Sequence, residues 1–478
     1  MASQDGDYGY YDEDLPAPPR FLLVLVVGLF LLGIIGSAAG VLIYANALQQ
    51  GQRERVKRYL PFMEVFDPRL PTPEGGIVPT AAPVDDKADP MDLLSGTLDF
   101  STPESSATME TSAEPTEAAM LATATLEATP LSTHTPTPTS TTISPTLPPQ
   151  PDSAQPVSET TINRDPSARL FGFRHNQQTW NNCGPANITM ALSYYGWVED
   201  QAYAASFLKP NREDKNVNPW EMVEFVNQRS GVLALTRMGG DLELIKTFIA
   251  NGFPIIIESG LMPEGYDWLG HYRTLVGYDD AFQVFYLFDS FLGAGEDGQG
   301  LPVSQAEVDN QWMHFNRTFI VVFQQEEQEQ VNRLLGEHLD EQRAAEIAFA
   351  TAQDEARDNP NNAFAWFNMG TALAALGDYE RAAVAFDKSR QVGLPFRMLW
   401  YQFGPFETYF NVKRYDDVLS LAQVNLTNGA ETVEETHYWR GRVLAERGQT
   451  LEAANAFRTA LSHNTNYEAA QIALNTVS

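Results

Sequence analysis

The sequence predicts a multidomain chain with an α+β domain that has a mostly antiparallel sheet, followed by an all-α repeat array. A transmembrane helix and a disordered stalk precede both. Three observations support this prediction. Helix-like segments come before strand-like segments between residues 170 and 323. A helical repeat of about 34 residues occupies the C-terminal part. Near the N-terminus, an uncharged apolar run is followed by a stretch rich in Thr, Ser and Pro.

The N-terminal part begins with an acidic polar tail, residues 1–20, followed by residues 21–44, which carry no charged side chain. A helix of that length spans roughly 36 Å and can cross a hydrocarbon core of about 30 Å. A cleaved signal peptide is the competing interpretation, because residues 45–47 read Ala-Asn-Ala, as a cleavage site would. The apolar run is longer than that of a usual signal peptide and follows acidic residues, so we expect an uncleaved membrane anchor.

Residues 45–166 are predicted to form a disordered, acidic stalk. The stretch 101–156 is rich in Thr, Ser and Pro and has too few apolar residues to offset the entropy of ordering. Such segments are typical of stalks outside the cell. We therefore expect a single-pass cell-membrane protein whose folded part is extracytoplasmic. The basic cluster in residues 53–58 favours the opposite orientation by the positive-inside rule.

The α+β domain is predicted for residues 167–325. Apolar residues at helical spacing predict a helix from Cys183 to Tyr195, and two further helices, 219–228 and 241–250, are predicted in the same way. Strand-like runs follow at residues 254–258, 271–278, 282–288 and 318–323. The acidic pair 279–280 between the second and third runs predicts a hairpin turn.

The chain has a single cysteine, Cys183, which stands where the first predicted helix begins. One cysteine cannot form an internal disulfide or a structural zinc site. A helix N-terminus lowers the pKa of a thiol, and its free N–H groups can stabilise an oxyanion. A buried thiol without a chemical role is the simpler alternative.

A base and an orienting carboxylate for this thiol are also present. His271 opens one predicted strand and Asp289 ends the next, so a hairpin can bring the two side chains together at one end of the sheet. The order nucleophile, base and orienting group is the one that thiol catalysis uses. Gln177, six residues before the cysteine, can add a side-chain N–H to an oxyanion hole.

These residues resemble those of papain-like cysteine peptidases, and among them the bacteriocin-processing, double-glycine peptidase-like group. The resemblance covers about residues 170–325 and rests on Gln177-x5-Cys-Gly-Pro, on Gly-His271 with a strand ending in Gly-Tyr-Asp-Asp, and on Asp289. It implies that Cys183 is the nucleophile, His271 the base, Asp289 the orienting group and Gln177 the oxyanion residue. Gln178 is the alternative to Gln177. The sequence lacks a P-loop, so double-glycine leader specificity is not implied.

Residues 326–478 are predicted to form a tetratricopeptide repeat domain. Gly370 and Phe386 in the first copy, and Gly441 and Phe457 in the last, fall at positions that resemble that family, whereas a middle copy matches more loosely. The small residues let paired helices approach closely, and the large residues fill the space between them. The resemblance implies a groove that presents the substrate or binds a protein partner, although a spacer is an equal alternative.

The charge balance argues against a protein that binds nucleic acid or a membrane surface through basic residues. The chain has 31 basic and 62 acidic residues, a net charge of −31, which argues against binding nucleic acid or anionic lipid by charge. No cofactor or metal is expected: residues 293–298 spell GxGxxG without a convincing helix start after them, and no HExxH motif or twelve-residue calcium loop occurs.

The predicted function is therefore that of a membrane-anchored, extracytoplasmic cysteine peptidase acting on peptides or proteins. Two alternatives remain open at the level of sequence. The domain could be a non-catalytic peptidase-like recognition module beside a protein-binding array. The same residues could also serve an amidase, deamidase or transpeptidase, because similar sites support several acyl transfers.

Overall fold

The computed structural model describes residues 162–262 and 267–477, and nearer the N-terminus residues 36, 39–44, 56, 60–66, 78–81 and 89–95. All of these residues fall in one compact unit. The acidic tail, most of the predicted transmembrane run 21–44 and the Thr/Ser/Pro-rich stretch lie outside the described residues. Within the described part of the chain, no helix is long and apolar enough to span a bilayer.

An antiparallel sheet forms the centre of the α+β part, as predicted. Among the described residues it has seven strands, which are β1 Ser167–Arg169, β2 Leu233–Arg237, β3 Ile255–Leu261, β4 Leu269–Asp279, β5 Val284–Asp289, β6 Leu301–Ser304 and β7 Phe319–Phe323. Their order is β2-β7-β3-β4-β5-β6, and β1 pairs with β4. The four predicted strands correspond to β3, β4, β5 and β7. The sequence did not predict β1, β2 and β6, which are short and less buried, so they lack a clear apolar pattern.

Helices cover both faces of this sheet. On one face lie α1 Cys183–Tyr194, α2 Gln201–Leu208 and α3 Pro219–Arg229, whose core includes Ile188 and Met222 together with Ile256 of β3. On the other lie α4 Leu242–Ala250 and α5 Gln305–Met313, which bury Phe248 and Trp312 against Ile257. Neighbouring residues of β3 thus face opposite cores, as the two-residue period of a strand requires.

The C-terminal part is helical, as predicted. Its helices are α6 Gln328–Leu335, α7 Glu341–Asp358, α8 Ala363–Ala375, α9 Tyr379–Val392, α10 Gly404–Asn411, α11 Tyr415–Thr427, α12 Glu434–Glu446, α13 Thr450–His463 and α14 Glu468–Val477. The glycines singled out in the sequence lie at close helix contacts. A Cβ atom at Gly370 would lie 2.7 Å from the ring of Phe386, and one at Gly441 would lie 2.6 Å from the ring of Phe457.

Two stretches of the predicted stalk differ from the expectation of disorder, because they pack on the helical part. Val78 is fully buried and its N–H donates to the carbonyl of Leu394 at 2.8 Å. The Nε of Arg390 donates to the carbonyl of Pro79 at 2.7 Å. Leu93 is buried as well. Each stretch carries a short apolar run, residues 77–78 and 93–94, a signal that the average composition of residues 45–166 does not reveal.

Candidate active site

The nucleophile candidate is placed by a sharp turn followed by a helix. Cys183 is the first residue of α1, and Asn182 is its N-cap. Asn181 adopts a left-handed backbone conformation with φ of 52°, which asparagine tolerates better than most residues. The buried Lys209 donates from Nζ to the carbonyl of Asn181 at 2.8 Å and so holds this turn. Cys183 itself is partly buried.

The base and the orienting carboxylate meet through the hairpin of β4 and β5. The register pairs Arg273 with Asp289, so His271 lies two residues along β4 on the same face. The Nε2 atom of His271 is 2.9 Å from Oδ1 of Asp289, and both side chains are buried. The structure therefore brings these two predicted site residues together at one end of the sheet.

Asp289 is held as an anion by several donors. Its Oδ1 also accepts the N–H groups of Phe291 at 2.7 Å and Leu292 at 2.8 Å, and its Oδ2 accepts from Nε of Arg273 at 3.1 Å. Burial opposes ionisation, but the charge and hydrogen bond of His271, the charge of Arg273 and the N–H of Leu292 hold the pKa of Asp289 well below its usual value. The carboxylate can thus orient an imidazole without taking its proton.

The charge environment of His271 favours its protonated form. Burial alone would lower its pKa, but the charge and hydrogen bond of Asp289, and then those of Cys183, raise it to about 9. Since Nε2 is engaged by Asp289, Nδ1 is the ring nitrogen that remains for the thiol. The imidazole is therefore a cation at neutral pH.

The pKa of the Cys183 thiol shifts in the opposite direction from that of His271. Burial would raise the pKa of Cys183, but the hydrogen bond and charge of His271, the N–H of Tyr272 and the charge of Lys209 together lower it. A lowered thiol pKa beside a raised imidazole pKa is the arrangement of a thiolate–imidazolium pair. The site can therefore hold a nucleophilic sulfur and a proton donor at the same pH.

The two glutamine candidates both contact the loop after β5, but in different ways. Gln177 donates from Nε2 to the carbonyl of Phe291 at 3.0 Å, and its Oε1 is buried without a hydrogen-bond partner in the described structure. Gln178 accepts at Oε1 from the hydroxyl of Ser290 at 2.8 Å. Among the described residues, no hydrogen bond joins either side-chain amide to Cys183.

Asn187 was missed by sequence reasoning, although it ties the three parts of the site together. It lies one helical turn after Cys183, is fully buried, and donates from Nδ2 to the carbonyls of Cys183 at 3.0 Å and Tyr272 at 2.8 Å. The same group donates to the hydroxyl of Ser290 at 3.1 Å, and its Oδ1 accepts from Thr274 at 3.0 Å. A polar residue on the buried face of an apolar helix was the available signal.

Gln201 was missed as well, and it organises the loop before the cysteine. Its Oε1 accepts from the N–H of Thr179 and from Nδ2 of Asn182, each at 2.8 Å. Its Nε2 donates to Oδ1 of Asn176 at 2.6 Å and to the carbonyl of Gln177 at 2.8 Å. Nothing in the local pattern of α2 distinguishes Gln201 from a surface residue. Arg273, which neutralises Asp289, was likewise not predicted.

Replacing Gln201 with alanine is expected to lower the free energy of unfolding by about 2–4 kcal/mol, because several buried polar groups lose their partners. Since the loop precedes Cys183, the rate of thiol alkylation is expected to fall too. Gln228→Ala is a matched control, because this glutamine is exposed and donates from Nε2 to Glu224 on the surface of the same helix. Equal unfolding curves for the two variants would contradict this role.

Comparison with known proteins finds similarity in the α+β part of the chain. Residues 173–318 match the family described as "Peptidase_C39 like family". Two crystal structures are similar to this chain. One is a C39-like peptidase from Bacillus anthracis, with 15% identity over 34% of this chain and 99% of that one and a TM-score of 0.28. The other is the peptidase domain of Streptococcus ComA, a bifunctional ABC transporter of a quorum-sensing pathway, with 18% identity over 32% of this chain and 100% of that one and a TM-score of 0.26. No curated protein sequence matches the chain. The family match supports the papain-like peptidase assignment of the α+β part.

Proposed function

We propose that this chain is a cysteine peptidase whose catalytic residues are Cys183, His271 and Asp289. The observation that carries the proposal is the buried hydrogen bond between His271 and Asp289, beside the single cysteine at a helix N-terminus whose thiol pKa is lowered. The family match of residues 173–318 supports a peptide substrate.

The proposed reaction begins with attack of the Cys183 thiolate on the carbonyl carbon of a peptide bond. A C–S bond forms, and the carbonyl π electrons move onto the oxygen, which the N–H of Cys183 stabilises. As the oxyanion collapses, the C–N bond breaks and the His271 imidazolium gives its proton to the leaving amine. Neutral His271 then takes a proton from water as the water oxygen attacks the thioester carbonyl. The C–S bond breaks, the carboxylic acid leaves, and the Cys183 thiolate is restored beside the His271 imidazolium. Asp289 stays ionised and holds Nε2 throughout.

Gln177 is proposed to complete the oxyanion hole. Its amide uses one N–H on the carbonyl of Phe291 and has a second N–H to offer, since an amide carries two donors. Gln178 accepts the Ser290 hydroxyl at Oε1, a contact that does not involve its amide N–H groups, so the choice between the two glutamines rests on spacing. The spacing of six residues from Cys183 favours Gln177. Gln178→Ala is accordingly expected to affect turnover less than Gln177→Ala.

The remaining proposals concern the rest of the chain. The apolar run 21–44 is proposed to anchor the protein in a membrane, with the catalytic part outside the cytoplasm. The length of the run and the composition of the stalk support this placement.

The helical part is proposed to be of tetratricopeptide type and to present the substrate or bind a partner. Close helix contacts at Gly370 and Gly441 support that assignment.

The test uses the fact that Cys183 is the only thiol. At about pH 6, the folded protein is expected to react with iodoacetamide at least about 10-fold faster than the denatured chain, because an ordinary thiol with a pKa of about 8.5 is almost entirely protonated there. Cleavage of a peptide library should occur with the wild type and not with Cys183→Ala. Mass spectrometry of products formed with added amines separates hydrolysis from transpeptidation. Labelling that follows an ordinary thiol titration would contradict the proposal.

A further inference from the structure

One loop of the α+β part lies between the active site and the helical part. It comprises residues 209–218, which link α2 to α3, and we call it the connecting loop. A surface loop usually exposes its polar side chains, because a buried polar group needs a hydrogen-bond partner. Four polar residues of this loop are nevertheless buried: Lys209, Asp214, Asn216 and Asn218. The connecting loop is therefore held by contacts with its surroundings.

On one side, the connecting loop holds the turn that precedes Cys183. The Nζ atom of Lys209 donates to the carbonyl of Asn181 at 2.8 Å, and Nε1 of Trp180 donates to Oε2 of Glu213 at 3.0 Å. The left-handed backbone at Asn181 costs free energy unless its surroundings hold it in place. The loop supplies two of the hydrogen bonds that do so, within three residues of the sulfur.

The same loop also contacts the strand that carries His271. The carbonyl of Val217 accepts from the hydroxyl of Tyr272, the residue after His271, at 2.8 Å. A Cβ atom at Gly184 would lie 3.1 Å from Cβ of Val217, so the loop packs directly against the first turn of α1. The connecting loop thus touches neighbours of both the nucleophile candidate and the base candidate.

On its other side, the connecting loop is bonded to the helical part. The hydroxyl of Thr432, shortly before α12, donates to the carbonyl of Glu213 at 2.8 Å across 219 positions of sequence. The Nδ2 atom of Asn211 donates to Nδ1 of His463, the last residue of α13, at 3.0 Å across 252 positions. Glu213 therefore bonds in both directions, with its carboxylate to Trp180 and with its carbonyl to Thr432.

We propose that Thr432 and His463 are positioning residues for Cys183, which act through the connecting loop. The inference rests on the function proposed above, and it assigns to the helical part a role besides binding a substrate or a partner. The two residues fix the loop, and the loop in turn fixes the turn that presents the sulfur to His271. Loosening the loop from the helical part lets the thiol and the imidazole lose their alignment.

The test uses the full-length double variant Thr432→Val, His463→Phe. The substitutions keep a branched side chain and a ring, and they remove these two hydrogen bonds to the connecting loop. Thr459→Val is a matched control, because its hydroxyl donates to the carbonyl of Asn455 within α13 at 2.9 Å. The readout is the rate of Cys183 alkylation by iodoacetamide from about pH 4 to 10, which reports the thiolate–imidazolium pair without any peptide substrate.

We expect the double variant to slow alkylation at about pH 6 by about 5-fold, the effect of losing one net hydrogen bond, and to move the profile towards that of an ordinary thiol. Thr459→Val is expected to retain the wild-type profile. Circular dichroism verifies folding, and Thr432→Val alone replaces the double variant if the latter does not fold. Identical profiles for the folded variant and wild type would overturn the inference while leaving the peptidase proposal intact. A wild-type profile like that of an ordinary thiol would instead refute the proposed function.

A double-mutant cycle tests the route through Glu213. Trp180→Phe keeps an aromatic ring and removes the donor to the Glu213 carboxylate, whereas Thr432→Val removes the donor to its carbonyl. If the loop links the two sides, the second substitution should add little to the slowing caused by the first, since coupled residues are not additive. Fully additive effects on the alkylation rate would show that the two contacts act independently and would overturn this route.

Discussion

His271→Ala is expected to abolish peptide cleavage, with a loss of at least about 1000-fold in kcat/KM, since it removes the base, the proton donor and the counter-ion of the thiolate together. The pKa of Cys183 should rise at the same time, because burial then acts with little opposition. Alkylation at about pH 6 should fall to the rate of an ordinary thiol. Substantial residual cleavage would show that another group serves as the base.

Asp289→Ala provides a graded comparison, because it leaves the imidazole in place. Turnover should fall less than in His271→Ala, while the free energy of unfolding should drop by about 3–5 kcal/mol, since the buried Arg273 loses its carboxylate. Asp289→Asn is the matched control: it keeps an acceptor for the Phe291 N–H and removes the charge. If Asp289→Ala retained full turnover, another acceptor would have to orient His271.

The pH dependence of the thiol–imidazole pair has a definite direction. The thiolate forms at lower pH than in an ordinary cysteine, so the acid limb of activity should lie below the usual thiol range. The basic limb should lie near pH 9, where His271 loses the proton that the leaving amine requires.

The second large effect is expected at a cluster of carboxyl groups between the α+β part and the helical part. Asp214 precedes α3 and Glu221 lies in its first turn, while Glu434 and Glu435 open α12. Asp214, Glu434 and Glu435 are buried. Asn218 donates from Nδ2 to both sides of the junction, to Glu221 at 3.0 Å and to Glu435 at 2.8 Å.

Burial raises the pKa of all four carboxyl groups, and the charge of Glu434 raises those of the other three further. The value for Glu221 is about 8. Lys209 faces Asp214 and Glu434 as a cation, and Tyr467 faces Glu435. The folded protein therefore binds more protons here than the unfolded chain does.

The stabilising effect of these raised pKa values is fully present below the pKa of an unfolded glutamate and is lost as pH rises through the folded values. Urea unfolding should therefore show stability falling from about pH 5 to 8, by roughly 1.4 kcal/mol per pH unit for each extra proton. The Glu434→Gln, Glu435→Gln double variant should flatten this slope. Glu446→Gln, at an exposed position of the same helix, should not. Equal slopes in the double variant and wild type would contradict the prediction.

Sequence patterns predicted the elements that carry the site better than they predicted its surroundings. The helix beginning at Cys183 and the hairpin joining His271 to Asp289 follow from short-range periodicity and turn residues, which act over a few positions. Short strands such as β6 were not predicted, because their side chains are only partly buried and so lack a clear apolar pattern. The packed segment around Val78 was not predicted because its apolar run is too short to show a helical or strand period.

What the sequence by itself determined is the order of the chemical groups: a lone thiol before a helix, then a histidine and an aspartate on paired strands. Only the tertiary structure decided which residues support them. Asn187 meets Tyr272 across 85 positions, and Arg273 neutralises Asp289 across 16. The physical reason is that a polar side chain is satisfied by whichever group the topology brings to it, and a local pattern carries no record of that partner.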